Sequence, residues 1–200
     1  MSTGIYGFYK SGVFKVASYS RESHPKSLGY SLFKTLYYAW PEEIALMFSI
    51  LKVVKANQKP TESECTSILE SFGSPGYNFK KPKEEITFND LLEERQNDIM
   101  SFFVAIRHAG LRHMVDGIEN IKTWGICDWV YIYNLDVNRI EIYHIKKEMP
   151  ISNVISDDPM VYLNEGYDLI HTMDHNPNDL GRNQFDLSGL DYAYNKVFNS

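Results

Sequence analysis

Residues 124–145 constrain the fold more than any other stretch of the chain. Segments 129–133 and 140–145 are rich in β-branched and aromatic side chains, and 134–138 between them is turn chemistry, so the stretch reads as a β-hairpin. On its second arm Ile140, Ile142 and His144 alternate with Glu141, Tyr143 and Ile145, which predicts one buried face and one partly wet face. An isolated hairpin is marginal in water, so this one must join a larger sheet. A second hairpin is predicted at the start of the chain, where 4–9 and 13–20 flank Lys10-Ser11-Gly12.

Between the hairpins the apolar spacing is helical. Leu28, Leu32, Phe33 and Leu36 mark one helix. Pro41-Glu42-Glu43 opens a second, expected over 41–57, with proline in the first turn and carboxylates at the positive end of the helix dipole. Thr61 and Glu64 have capping-box spacing ahead of a short helix that stops at Gly73. Residues 74–85 read as a loop, and Thr87 caps a longer helix whose stripe of Phe88, Leu91, Leu92, Ile99, Phe102, Phe103 and Ile106 persists to Gly110. Residues 111–121 continue the pattern as a further helical piece. The expected class is α+β: an antiparallel sheet built from the N-terminal and the later hairpin, packed by several helices.

With 44% hydrophobic residues the chain can bury a core, and no repeat of fixed period argues for a solenoid or propeller. Residues 1–147, expected to form a single α+β domain, carry 17 acids against 18 bases, whereas 148–200 carry 9 against 2. The excess negative charge therefore lies in the last quarter, an acidic, aromatic-rich C-terminal segment expected to pack on the same domain. Within it, 160–163, 168–173 and 190–198 have the texture of ordered elements. Such an end disfavours nucleic acid, which needs a basic patch. No secretory signal or 20-residue apolar run is present, so a cytoplasmic protein with no membrane partner is expected.

The motifs exclude more than they assign. Cys65 and Cys127 are far apart and form neither a disulfide framework nor a cysteine metal site. His171 and His175 would share one face of a helix, but Asn176-Pro177 truncates it and no third ligand is fixed by spacing, so no metal is expected. There is no glycine-rich phosphate loop and no G-x-S-x-G, so no cofactor is expected either. The feature left is the acidic aromatic end itself. Tyr162, Tyr167, Tyr192 and Tyr194 lie among Asp168, Asp174 and Asp191, and tyrosines beside carboxylates suit contact with a basic protein surface.

Two resemblances add expectations. Gly4-Ile-Tyr-Gly-Phe8, His24-Pro-Lys-Ser-Leu-Gly29 and 129–143 together resemble an uncharacterised phage and prophage group that opens on a Gly-Leu-Tyr-Gly-Phe hairpin. That resemblance implies a small, non-enzymatic binding factor in the host cytoplasm, an accessory or a host- or defence-directed inhibitor. Met1-Ser-Thr-Gly-Ile5 also resembles the Met-Cys-Thr opening of bile-salt-hydrolase-like N-terminal nucleophile hydrolases, with Ser2 where that family has cysteine. It implies an amidohydrolase in which Ser2, exposed by removal of Met1, attacks with its own α-amine as base. The chain departs from that family's next motif: Tyr19-Ser-Arg-Glu-Ser23 stands after the second strand, and Gly181-Arg182-Asn183 comes much later.

Overall fold

The computed structural model describes residues 3–74, 81–147, 156–175 and 188–198, apart from the side chains of Tyr37 and Lys83. The class is α+β. Strands β1 (Gly4–Lys10) and β2 (Val13–Tyr19) form the first hairpin. Its two-residue turn has positive φ at both Ser11 (48°) and Gly12 (85°), the combination that matches strand twist and favours glycine. A π-helical turn, Pro25–Gly29, leads directly into α1 (Tyr30–Tyr37), followed by α2 (Pro41–Ile50).

The next stretch departs from the helical reading of 41–57. The chain leaves α2 at Leu51 (φ −67°, ψ 130°) and forms β3 (Lys52–Val54). Two forces end the helix there. The Lys15 ammonium donates to the carbonyls of Phe48 and Leu51, both at 2.6 Å, and Val53 pairs with Met114 in a short parallel sheet. After α3 (Glu62–Ser71), capped by the Thr61–Glu64 box, the long helix expected from Thr87 is two helices, α4 (Phe88–Gln96) and α5 (Ile99–His108). Asp98 breaks it by accepting from the Ser101 amide at 3.2 Å, a new N-cap. The predicted helix over 111–121 is instead β4 (His113–Val115) followed by the short α6 (Ile118–Lys122).

Strands β5 (Trp129–Asn134) and β6 (Arg139–Ile145) form the second hairpin; α7 (Pro159–Gly166), β7 (Tyr167–Asp174) and α8 (Ser188–Phe198) follow. The order across the main sheet is β2-β1-β5-β6-β7. It is antiparallel everywhere except its centre, where β1 runs parallel to β5, Gly4 opposite Trp129. The helices between the hairpins supply the crossover that a parallel pair needs. At the far end, Asp136 accepts from the Ser11 amide at 2.9 Å and ties the two hairpin tips together.

Both faces of this sheet are covered, where the sequence predicts one partly wet. Tyr6, Phe8, Trp129, Tyr131, Tyr133, Ile140 and Ile142 pack under α1, α2, α4, α5 and α8. On the reverse, Ile5, Val16, Val130, Ile132 and Tyr143 meet Ile121 of α6 and Leu163 of α7. Alternation sorts side chains between two cores rather than between core and solvent. Glu141, the one buried carboxylate among the described residues (2% exposed), accepts from Asn134 (3.0 Å), Arg139 (2.9 Å) and Tyr143 (2.8 Å). Its lone pairs are matched, which makes it a clamp on the hairpin rather than a free acid. Leu190 and Ala193 of α8 belong to the first core, and Leu163 of α7 and Tyr167 of β7 to the second, so the described C-terminal elements pack on both faces of the same sheet.

Candidate functional site

Two places gather side chains beyond what packing alone uses. The first is the end of the sheet where β1, β5 and β7 begin and β6 ends. There the start of β1, the turn at 25–29 and the start of β5 meet. A Cβ on Gly4 would lie 2.6 Å from the Ser23 Cβ and 3.1 Å from Leu28, and one on Gly29 would lie 3.0 Å from the Tyr131 ring. Both glycines are therefore there for close approach. Thr3 is pinned by its hydroxyl on the Ile126 carbonyl, while its own carbonyl accepts from the Asp128 amide and the Ser23 hydroxyl, each at 2.9 Å. The Tyr131 hydroxyl donates to the Ser23 carbonyl at 2.8 Å.

Over this end lie aromatic and basic groups. The Trp129 indole is edge-on to His144 at 4.5 Å between ring centres and near Phe198 at 6.5 Å. Burial lowers the His144 pKa, against the opposing pull of Asp128 and Asp168. The Lys26 ammonium sits 4.4 Å above the Tyr194 ring and 3.5 Å from the Asp191 carboxylate. Nearby, burial pushes the Cys127 thiol up to about 11, and the Tyr167 hydroxyl lies 2.8 Å from its sulfur. A thiol in that state is protonated and inert. Ser2 lies outside the described residues.

The second place is the β7–α8 edge. β7 is the outermost strand of its sheet, and among the described residues no other strand pairs with its free side. Its register against β6 runs regularly except at Ile170, an extra residue between the pairs Tyr143–Leu169 and Ile142–His171, hence a bulge. Leu169 is 47% exposed and Tyr192 of α8 is 53% exposed. With Ile170, His171 and Thr172 they line a shallow groove of about 380 Å³. Gly189 lets α8 approach, since a Cβ there would lie 2.5 Å from the His171 ring.

The structure separates the residues that the sequence groups into one acidic aromatic surface. Tyr167 is 2% exposed and belongs to the core, because its ring fills the second face under Cys127; it is corrected from contact residue to packing residue. Tyr162 packs on that same face and its hydroxyl accepts from the Ser156 amide, whereas Tyr192 and Tyr194 ride on α8 over the opposite face. Asp168 and Asp174 are exposed at the two ends of β7, and Asp191 is exposed beside Lys26. The β7–α8 edge thus retains Asp168, Asp174 and Tyr192, while Asp191 and Tyr194 lie on α8 beside Lys26.

His171 and His175 do not form a helical pair either. His171 lies in β7, His175 just beyond it, so about 13 Å of extended chain separates them. The His175 ring bonds Tyr133, its Nδ1 at 2.7 Å from the hydroxyl. Among the described residues no group of three or more His, Cys, Asp or Glu is placed to hold a metal, and no helix is long and apolar enough to cross a membrane.

Leu169, His144 and Lys26 were not singled out by sequence reasoning. Leu169 could have been, as an apolar residue next to an acid in a strand interrupted by a bulge; nothing local marks Lys26 or His144. No family model matches the chain, and neither does any curated protein or solved structure.

Proposed function

We propose that this chain is a protein-binding factor, of the accessory or host-directed phage type, whose partner brings a basic surface to the β7–α8 edge. The observation that carries the reading is the edge itself: a terminal strand and a neighbouring helix leave Leu169 and Tyr192 exposed along one groove, with the exposed carboxylates of Asp168 and Asp174 at the two ends of the strand and that of Asp191 on the helix. An exposed apolar centre with a charged rim is how interfaces are built, and rim charges act mainly on the rate of encounter. The test places a photo-crosslinking amino acid at Tyr192 in cells of the native host and identifies the captured protein by mass spectrometry. With that protein purified, replacing Asp168, Asp174 and Asp191 together by Asn is expected to slow association and flatten its salt dependence. A folded triple variant with unchanged association rate and salt dependence defeats the reading.

A second reading, an amidohydrolase with Ser2 as nucleophile, draws on the anchoring of Thr3. Three hydrogen bonds fix the residue after Ser2 at the sheet end that also holds Asp128 and His144. Intact-mass analysis showing Met1 retained, or acylated-amide hydrolysis unaffected by Ser2→Ala, rejects it.

A further inference from the structure

We infer that the outer edge of β7 receives an extended, basic segment of the partner as a sixth strand of the main sheet. This deepens the proposed function and rests on it for the identity of the surface. The ladder to β6 fixes which backbone groups remain. Lys146 donates to the Gly166 carbonyl and His175 to the Asn138 carbonyl, so Gly166, Asp168, His171, Met173 and His175 turn their backbone groups inward. Leu169, Thr172 and Asp174 turn theirs outward, and the carbonyl of the bulged Ile170 meets the Lys196 ammonium at 3.4 Å. An outward row of this kind is a template for strand addition, with main-chain bonds supplying affinity and alternate side chains supplying selectivity.

Charge decides what can occupy it. A second copy of this chain, adding antiparallel about the centre of β7, would set Asp168 against Asp174 at both ends of the new ladder, and like charges across strands are destabilising. A segment with a cation at each end meets the same two carboxylates favourably. Its spacing also follows. The bulge removes one step, so Asp168 and Asp174 stand opposite His144 and Arg139, five register positions apart, and on opposite faces of the sheet. The fitting segment has basic residues at i and i+5, with side chains between them that reach Tyr192 on one face and Leu169 on the other.

The test uses the full chain and a fluorescent, end-blocked octapeptide with lysine at positions 2 and 7 and alternating valine and threonine elsewhere. Fluorescence anisotropy is expected to show binding that weakens with salt, and to weaken by about tenfold or more when both lysines become glutamate. Hydrogen exchange is expected to slow at the amides of Leu169, Thr172 and Asp174 on saturation. Thr172→Pro removes an outward donor while leaving the ladder to β6 intact, and is expected to abolish binding without a large change in Tm.

Absence of binding, or binding with no added protection at those three amides, overturns strand addition. If Thr172→Pro fails to fold, the exchange measurement on the unaltered chain still decides. These failures leave the proposed function standing, because that is judged separately by the crosslinked partner and the triple aspartate variant.

Discussion

β5 and β7 lie in one sheet, separated only by β6, and could hardly differ more. All six residues of β5 are buried, it pairs on both sides without a break, and its side chains from Trp129 to Tyr133 alternate between the two cores. β7 pairs on one side among the described residues, carries a bulge, and exposes Asp168, Leu169 and Asp174. The contrast separates stability from recognition. An interior strand contributes through desolvation and packing, while an edge strand keeps unfilled hydrogen-bonding capacity and unburied apolar surface that a second molecule can use.

The sharpest way to break this comparison is at Trp129, 1% exposed and among the largest fully buried side chains. Trp129→Ala is expected to lower the unfolding free energy by about 3–5 kcal/mol, read from chemical denaturation. A Tm within a degree or two of the unaltered chain would mean that the centre of the sheet is not where stability resides. Glu141→Ala should follow at about 3 kcal/mol, because it strands the Asn134 amide, the Tyr143 hydroxyl and the Arg139 guanidinium. Replacement by glutamine, which keeps the shape and two acceptor positions, should cost less; equal losses would show that charge, not hydrogen bonding, makes the clamp.

His144 lies between the two strands, opposite Trp129 on one side and Asp168 on the other. Burial depresses its pKa below the ordinary value near 6.5, so the unfolded chain takes up the proton first as pH falls. Its contribution is complete above about 6.5 and is lost as pH drops through the folded value; His113 and His171, also depressed by burial, act in the same direction. Stability measured from pH 8 to 5 should therefore decline on the acid side, and His144→Gln should make that decline shallower. An unchanged slope would assign the acid sensitivity to the other two imidazoles. At the edge the effects should nearly vanish: Leu169→Ser is expected to move stability by no more than about 0.5 kcal/mol. A loss above about 2 kcal/mol would show Leu169 to be core, and would remove the distinction between the strands.

The sequence discloses structure where the interactions are local. Ser11-Gly12 and residues 134–138 announce both hairpins, and the Thr61–Glu64 box announces α3, because turn and cap chemistry acts within a few residues. It misleads where a distant partner decides. Leu51 and Val54 continue the apolar spacing of α2, yet the chain becomes a strand from Lys52 because Met114 offers Val53 a ladder 61 positions further on. The Asp98–Ser101 cap was visible in principle, being a short-range signal hidden by the strong apolar stripe around it. The site was half legible for the same reason. Acidity and tyrosine content point to the C-terminal segment, but which face each tyrosine occupies depends on α7 and α8 lying on opposite sides of the sheet, and no spacing encodes that.

The parallel seam between β1 and β5 has a consequence during synthesis. At translation rates of about 5–20 residues per second, the roughly 120 residues between Lys10 and Trp129 take on the order of 6–24 s to emerge. For that interval the N-terminal hairpin exists without its inner neighbour, and Ile5, Tyr6 and Phe8, each wholly buried in the finished sheet, have nothing of β5 to pack beside. A nascent chain in that condition shows an open strand edge and a bare aromatic surface to the crowded space around the ribosome. Yield in cells should then depend on holding chaperones and growth temperature more than the stability of the folded protein would indicate.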